Sequence, residues 1–174
     1  AFGADYAYTL DGSDLGEIED ETFCADTANV TVVGHDVHPG YAKDKMINAI
    51  SVLQEILNGL PGEEIPEKTS GREGFFHLHH IQGQIEEARA RLIIRDHDRE
   101  EFELRKSRLK ELVAAAQGKY RTGIELNMED QYFNMKDKIT PVFSIVAVAE
   151  EAMKAVGVTP IIKPIRGGTD GSQL

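Results

Sequence analysis

ANVTVVGHDVHPGYAKDKMINAISVLQEILNG, residues 28–59, reads as strand, loop and helix in succession. β-Branched residues dominate Ala28 to Val33, as a half-buried strand prefers. GHDVHPG, residues 34–40, is a loop by composition. Met46, Ile50, Leu53 and Leu57 then follow at intervals of four, three and four, which lays one apolar stripe along a helix. Asn58-Gly59 supplies the stop.

Toward the C-terminus, Pro61 to Arg72 is a polar loop. Two strands are predicted near Gly74 to Ile81 and Ala88 to Arg95, with a turn beginning at Gln82-Gly83. Asp98 with Glu101 three residues later marks the start of a second helix. Its buried face is Phe102, Leu109, Leu112, Val113 and Ala116, and Gly118 closes it. Ile124, Leu126 and Met128 alternate with polar residues, a half-buried strand. The order is β-α-β-β-α-β. That is the ferredoxin-like arrangement, an α+β class with four antiparallel strands and both helices on one face.

The flanks differ in character. Ala4 to Leu10 alternates and suggests a strand, Asp11-Gly12 a turn, and Gly16 to Cys24 a polar strand. Thr140-Pro141 opens a third helix with a stripe at Val142, Val146, Ala149 and Met153. Thr159 to Ile165 is a short strand, and RGGTDG, residues 166–171, a tight turn. Residues 1–24 and 134–174 are thus expected to be edges of a partial α/β domain that receives residues 25–133 as an insert. The chain opens without Met in a strand-like run and stops at GSQL, which reads as a piece of a longer polypeptide.

The formal net charge is -11. A phosphate backbone needs clustered Lys and Arg, so nucleic acid is not an expected partner. Cys24 is the one cysteine, which precludes an internal disulfide and fits the cytoplasm. No apolar run approaches the roughly 18 residues of a membrane span, and the first ten residues lack the pattern of a signal peptide.

Several residues have side chains suited to chemistry. Asp11 ends a predicted strand, where a carboxylate can ligate Zn²⁺ or Mg²⁺, although Asp-Gly is also an ordinary turn pair. His35 and His38 share the GHDVHPG loop, with Pro39 restricting the residue before it; they are metal ligands or solvated loop histidines. HLHH, residues 77–80, puts His77 and His79 on one strand face and His80 on the other, as a metal pair or a polar sheet face. Arg95-Asp96 reads as a strand-to-helix ion pair. RGGTDG can aim backbone N–H groups and the Arg166 guanidinium at an anion, or be a plain glycine turn.

In order, AYTLDG (7–12), VVGHDVHPGYAKDKMINAI (32–50), GFFHL (74–78), IIRDHDR (93–99), NMKDK (134–138) and KPIRGGTDGSQL (163–174) resemble the di-zinc metallopeptidase family that holds aminoacylase and carboxypeptidase G, most closely its aminotripeptidase branch. The resemblance implies a catalytic α/β domain with two zinc ions and an inserted ferredoxin-like lid that forms a homodimer. It implies that Asp11 binds one zinc and that His38 reaches the partner subunit's active site to stabilise an oxyanion. Asn48 is implied to contact substrate, Arg166 to hold a substrate carboxylate, and Gly168 and Thr169 to offer hydrogen bonds nearby. The activity implied is removal of the N-terminal residue from tripeptides. The family's His-x-Asp, bridging Asp, Glu-Glu pair and last His are not in this segment, so the chain alone is expected to be inactive. The competing readings are a non-catalytic ferredoxin-like module for small-molecule binding or dimerisation, and a dipeptidase or carboxypeptidase of the same family.

Overall fold

The computed structural model describes residues 3–10, 12 and 14–170. In chain order the strands and helices are β1 (Glu17–Ile18), β2 (Cys24–Val33), α1 (Ala49–Asn58), β3 (Phe75–Gly83), β4 (Glu87–Asp96), α2 (Arg99–Tyr120), β5 (Ile124–Tyr132), α3 (Lys136–Ile139), α4 (Ser144–Ala155) and β6 (Ile161–Ile162).

β2 is the spine of a four-stranded antiparallel sheet with the order β3-β4-β2-β5. Its alternation decides the layers. Ala28, Val30 and Val32 point inward and meet Ala88, Ala90, Leu92 and Ile94 of β4, while Thr27, Asn29 and Thr31 point to the open face. Both helices cover the inner face. Val52, Leu53 and Ile56 of α1 and Phe102, Leu109, Val113 and Ala116 of α2 complete one core. This is the ferredoxin-like α+β arrangement that the hydrophobic periodicity predicts.

Caps set the helix starts. The Asn48 side chain accepts from the Ile50 and Ser51 amides, and Asp98 accepts from those of Glu100 and Glu101. α1 begins three residues later than Met46, the first residue of its predicted stripe. Ile47 is taken instead by a two-way backbone bridge to His35 (2.7 and 2.9 Å), which closes the histidine loop at its base. α2 runs through Gly118 and ends at Arg121, whose φ of 51° supplies the left-handed turn expected of the glycine.

The flanking segments are less regular than their patterns suggest. Residues 4–10 form no strand. Tyr6, Tyr8 and Leu10 are exposed, and the Tyr8 hydroxyl donates to the Ile145 carbonyl (2.7 Å) rather than sitting over a sheet. Of the predicted strands at 16–24 and 159–165, Glu17–Ile18 and Ile161–Ile162 form strands of their own, β1 pairing in parallel with β6, while Cys24 already belongs to β2. The contact nevertheless continues, with Lys163 N donating to Ile18 O and Ile165 N to Glu21 O. The third helix is broken. α3 and a 3-10 turn at Thr140–Val142 precede α4, because Pro141 has no N–H to carry an α-helical ladder through the turn.

Charge is also buried within the sheet unit. Lys106 of α2 places Nζ 2.6 Å from Asp130 of β5 and 3.3 Å from Asp26 of β2. Asp26 and Asp130 are register partners on adjacent strands. Burial pushes the Asp26 carboxyl up against the pull of Lys106. Burial also works against the Lys106 ammonium, but Asp130 and Asp26 overcome it and raise its pKa.

Candidate functional site

The sequence-predicted residues lie at two separate places, set by the two ends of β2. At the far end, Gly34 leads into the histidine loop. An added Cβ at Gly34 would stand 2.0 Å from the Ile85 carbonyl oxygen and 2.6 Å from that of Ile47, so only glycine lets the loop close this tightly. His38 caps a short 3-10 turn, Pro39–Tyr41. Its Nδ1 accepts from the Gly40 amide (3.1 Å). An imidazole nitrogen that accepts carries no hydrogen, so neutral His38 keeps its proton on Nε2. The exposed ring, steadied by Tyr41 at 5.5 Å between centroids, therefore presents a donor to the outside. Asn48 closes the same loop. Its Oδ1 is committed to the two helix amides, which leaves its NH₂ as the outward donor.

At the near end of β2, the strand joins the flanking segments through a buried polar knot. Glu21 is 4% exposed and accepts from both terminal nitrogens of Arg72, from Asn134 Nδ2 (3.0 Å) and from Lys136 (3.3 Å). Burial raises this carboxyl, but those donors outweigh it and hold it at about 2. Asn134 also accepts from the Thr22 amide (3.1 Å) and donates to the His97 carbonyl (2.9 Å). His97 packs on Phe23 at 4.1 Å between ring centroids and sets Nε2 3.1 Å from the Ile165 carbonyl; burial lowers its pKa.

Arg166 leads the glycine turn beside this knot. Its terminal nitrogens donate to the Gly71 and Glu73 carbonyls (2.8 and 3.0 Å) and to the Thr69 hydroxyl (2.9 Å). Its plane lies over Phe23 and Phe75 at 5.3 and 5.5 Å. The guanidinium thus fastens the turn to the loop ahead of β3. Gly168 rests on the Tyr132 ring, and Thr169 is half-buried beyond it. Asp11 lies outside the described residues. Among the described residues, no three His, Cys, Asp or Glu side chains converge on a metal position. The described part of the chain does not fit a metal ion by itself.

The strand-to-helix ion pair expected at Arg95-Asp96 forms, through Asp96. Successive strand residues point to opposite faces, so Asp96 turns inward to Arg105 of α2 while Arg95 faces the open side. In HLHH, a bulge between Leu78 and His80 breaks the simple alternation. His77 and His79 stay neighbours, with centroids 5.9 Å apart. Leu78 and Ile81, three residues apart, now line one apolar groove with Ile50 and Leu57. The Glu21–Asn134–His97 knot escaped the sequence reading altogether. Its one signal in the sequence was that Asn134 opens NMKDK, a string on which the resemblance rests.

Residues 21–121 match the peptidase dimerisation domain of the M20 peptidases. The chain belongs to the M20 peptidase family. Its match to that domain takes in β2, α1, β3, β4 and α2 and stops short of β5. Across 99% of its length the chain is 54% identical to peptidase T of Geobacillus thermodenitrificans and 51% identical to peptidase T of Bacillus subtilis. It spans 42% of the length of each of those relatives. The fold agrees. The aminopeptidase PepT of Bacillus cereus superposes on 97% of this chain and 45% of its own, with a TM-score of 0.81 at 20% identity. A Bacillus subtilis protein described as a dinuclear metal-binding M20 peptidase superposes on 91% of this chain and 40% of its own, with a TM-score of 0.62 at 14% identity. No helix among the described residues is long and apolar enough to cross a membrane.

Proposed function

We propose that this chain is the lid-bearing segment of a zinc-dependent aminotripeptidase of the cytoplasm, which removes the N-terminal residue from tripeptides and works as a homodimer. The observation that carries the reading is the identity of 51–54% along 99% of the chain to proteins named peptidase T. Residues 25–133 act as the lid, and residues 1–24 and 134–174 belong to the catalytic domain. Asp11 is the chain's contribution to the metal centre.

The geometry suggests roles for the other groups. β2 carries the chain roughly 30 Å from the knot to the histidine loop, at about 3.3 Å per residue. A residue so far from its own glycine turn is placed to serve a neighbouring subunit. There His38 Nε2–H donates to the oxyanion that forms as the peptide carbonyl is attacked. Asn48, with Oδ1 locked in the helix cap, turns its NH₂ toward a substrate carbonyl. Arg166 holds the turn of Gly168 and Thr169 against the substrate. The second copy docks along β3, an edge strand with exposed Leu78 and Ile81 beside Ile50 of α1. Its unpaired backbone and apolar groove supply both halves of a strand-to-strand contact.

The complete zinc-loaded protein is expected to release free N-terminal residues from tripeptides. His38→Ala should lower kcat by on the order of 100-fold. Mixing His38→Ala subunits with Asp11→Ala subunits should restore activity, because one site in each mixed dimer then has both groups. Mixed dimers as inactive as their parents would show that His38 does not act across the interface.

A further inference from the structure

The proposed reaction leaves the three histidines of HLHH unused, and the fold brings them together. His77 and His80 stand opposite Ile93 and Arg91 of β4, two residues apart, so both rise on the open face of the sheet. His79 is the extra residue of the bulge between Leu78 and His80. Its ring stays beside that of His77, with centroids 5.9 Å apart and planes 33° from parallel. A bulge re-aims side chains on an edge strand, and here it turns three imidazoles to one side of β3. His79 and His80 are exposed, and among the described residues none of the three makes a hydrogen bond or an ion pair.

Imidazole is a ligand for Zn²⁺, Cu²⁺ and Ni²⁺. Two imidazoles on one tetrahedral Zn²⁺ have ring centres roughly 5 Å apart. The His77–His79 separation is within about 1 Å of that, a gap that small rotations of the rings close. Two ligands hold the ion weakly, and among the described residues no third His, Cys, Asp or Glu of the same chain joins them.

A second copy can supply the third ligand. β3 is an edge strand. On its helix-facing side Leu78 is 41% exposed and Ile81 56%, so both need cover. In an antiparallel two-fold pairing, residue i opposes j and j opposes i. The register that covers both sets Leu78 against Ile81 of the partner subunit. The same register sets His79 against His80 of the partner subunit, on the open face. Opposed side chains have Cβ atoms about 4.5–5.5 Å apart, which brings the partner's His80 within reach of the His77–His79 pair.

We propose that His77 and His79 of one subunit bind Zn²⁺ together with His80 of the partner subunit, in two equivalent sites flanking the two-fold axis of the dimer. The inference rests on the strand-to-strand dimer proposed above. Three imidazoles and a water complete a tetrahedron. The ion's role is structural: it ties the two lids together, apart from the zinc that serves catalysis.

The test titrates the untagged 174-residue chain with Zn²⁺ by calorimetry and follows its dimerisation by sedimentation. Wild type is expected to take one Zn²⁺ per chain. At free Zn²⁺ ten times the site's Kd, each site tightens the dimer about 11-fold, so two give on the order of 100-fold. His79→Ala and His80→Ala, both at exposed positions, should each lose Zn²⁺ binding and dimerise as wild type does in EDTA. In an equal mixture of the two variants only the mixed dimers keep a whole site, so about one Zn²⁺ per four chains should return. His80→Ala that binds Zn²⁺ like wild type, or a mixture that binds none, overturns the shared site. A wild-type chain that dimerises but binds no Zn²⁺ also overturns it and leaves the dimer standing. A chain that stays monomeric with and without Zn²⁺ removes the dimer reading, and the site with it.

Discussion

Glu21→Gln isolates the charge at the centre of the junction. The Glu21 carboxyl is held at about 2 against an ordinary 4.5. A displacement of that size corresponds to about 3 kcal/mol in favour of the folded state. Arg72 is half exposed, which screens its share and brings the expected loss to about 2 kcal/mol. In a chain of 174 residues that lowers Tm by about 6 °C. The sign follows from the depression. The contribution is fully present above pH 4.5 and disappears as pH falls through about 2. At pH 3 about two-fifths of it should remain. Other carboxyls titrate in both proteins and cancel in the difference, so the gap between wild type and variant reports Glu21 alone. Urea unfolding followed by circular dichroism at pH 7, 5, 4 and 3 measures it. A gap that is the same at pH 7 and pH 3, or smaller than about 0.5 kcal/mol at pH 7, would refute the idea that an ionised Glu21 stabilises the knot.

Lys106→Met leaves Asp26 and Asp130 without their counterion and should cost about 3 kcal/mol in urea unfolding. Adding Asp26→Asn should recover part of that loss, since it removes the stranded charge. Asn48→Ala should cost about 1 kcal/mol through the lost cap, whereas Asn48→Asp keeps the cap and tests the NH₂ separately, through a raised KM for tripeptides in the complete enzyme. Gly34→Ala drives a methyl into two carbonyls and should destabilise by about 2–3 kcal/mol, with kcat of the complete enzyme falling as the His38 loop shifts.

The sheet unit was legible because its signals are local. Alternation in β2 and β5, the stripe of α1 and the cap at Asp98 each report on neighbours a few residues away, and the structure follows them. The misses share a different cause. Nothing near Met46 and Ile47 says that Ile47 bridges to His35, twelve residues back, and so delays α1. The alternation of Ala4 to Leu10 is real, yet alternation yields a strand only where another strand offers its backbone. Lys106 looks like one more surface residue of a charged helix; its burial depends on two aspartates contributed by strands 80 and 24 residues away in sequence. The candidate site shows the same divide. The sequence singled out His38, Asn48 and Arg166 through their motifs, while the knot of Glu21, Asn134 and His97 emerges only once the fold brings residues 21, 97 and 134 together.

Thr22 and Asn134 are joined by a hydrogen bond of 3.1 Å across 112 positions. A flexible segment of that length would cost about 4 kcal/mol merely to bring its ends together. In this fold the sheet brings them together, because β2 leaves the junction and β5 returns to it as adjacent antiparallel strands. The pairing of β1 with β6 therefore behaves, thermodynamically, like a contact between near neighbours. It should form after the sheet and break before it, so hydrogen exchange at Ile161 and Lys163 is expected to outpace exchange at Val30 and Leu92.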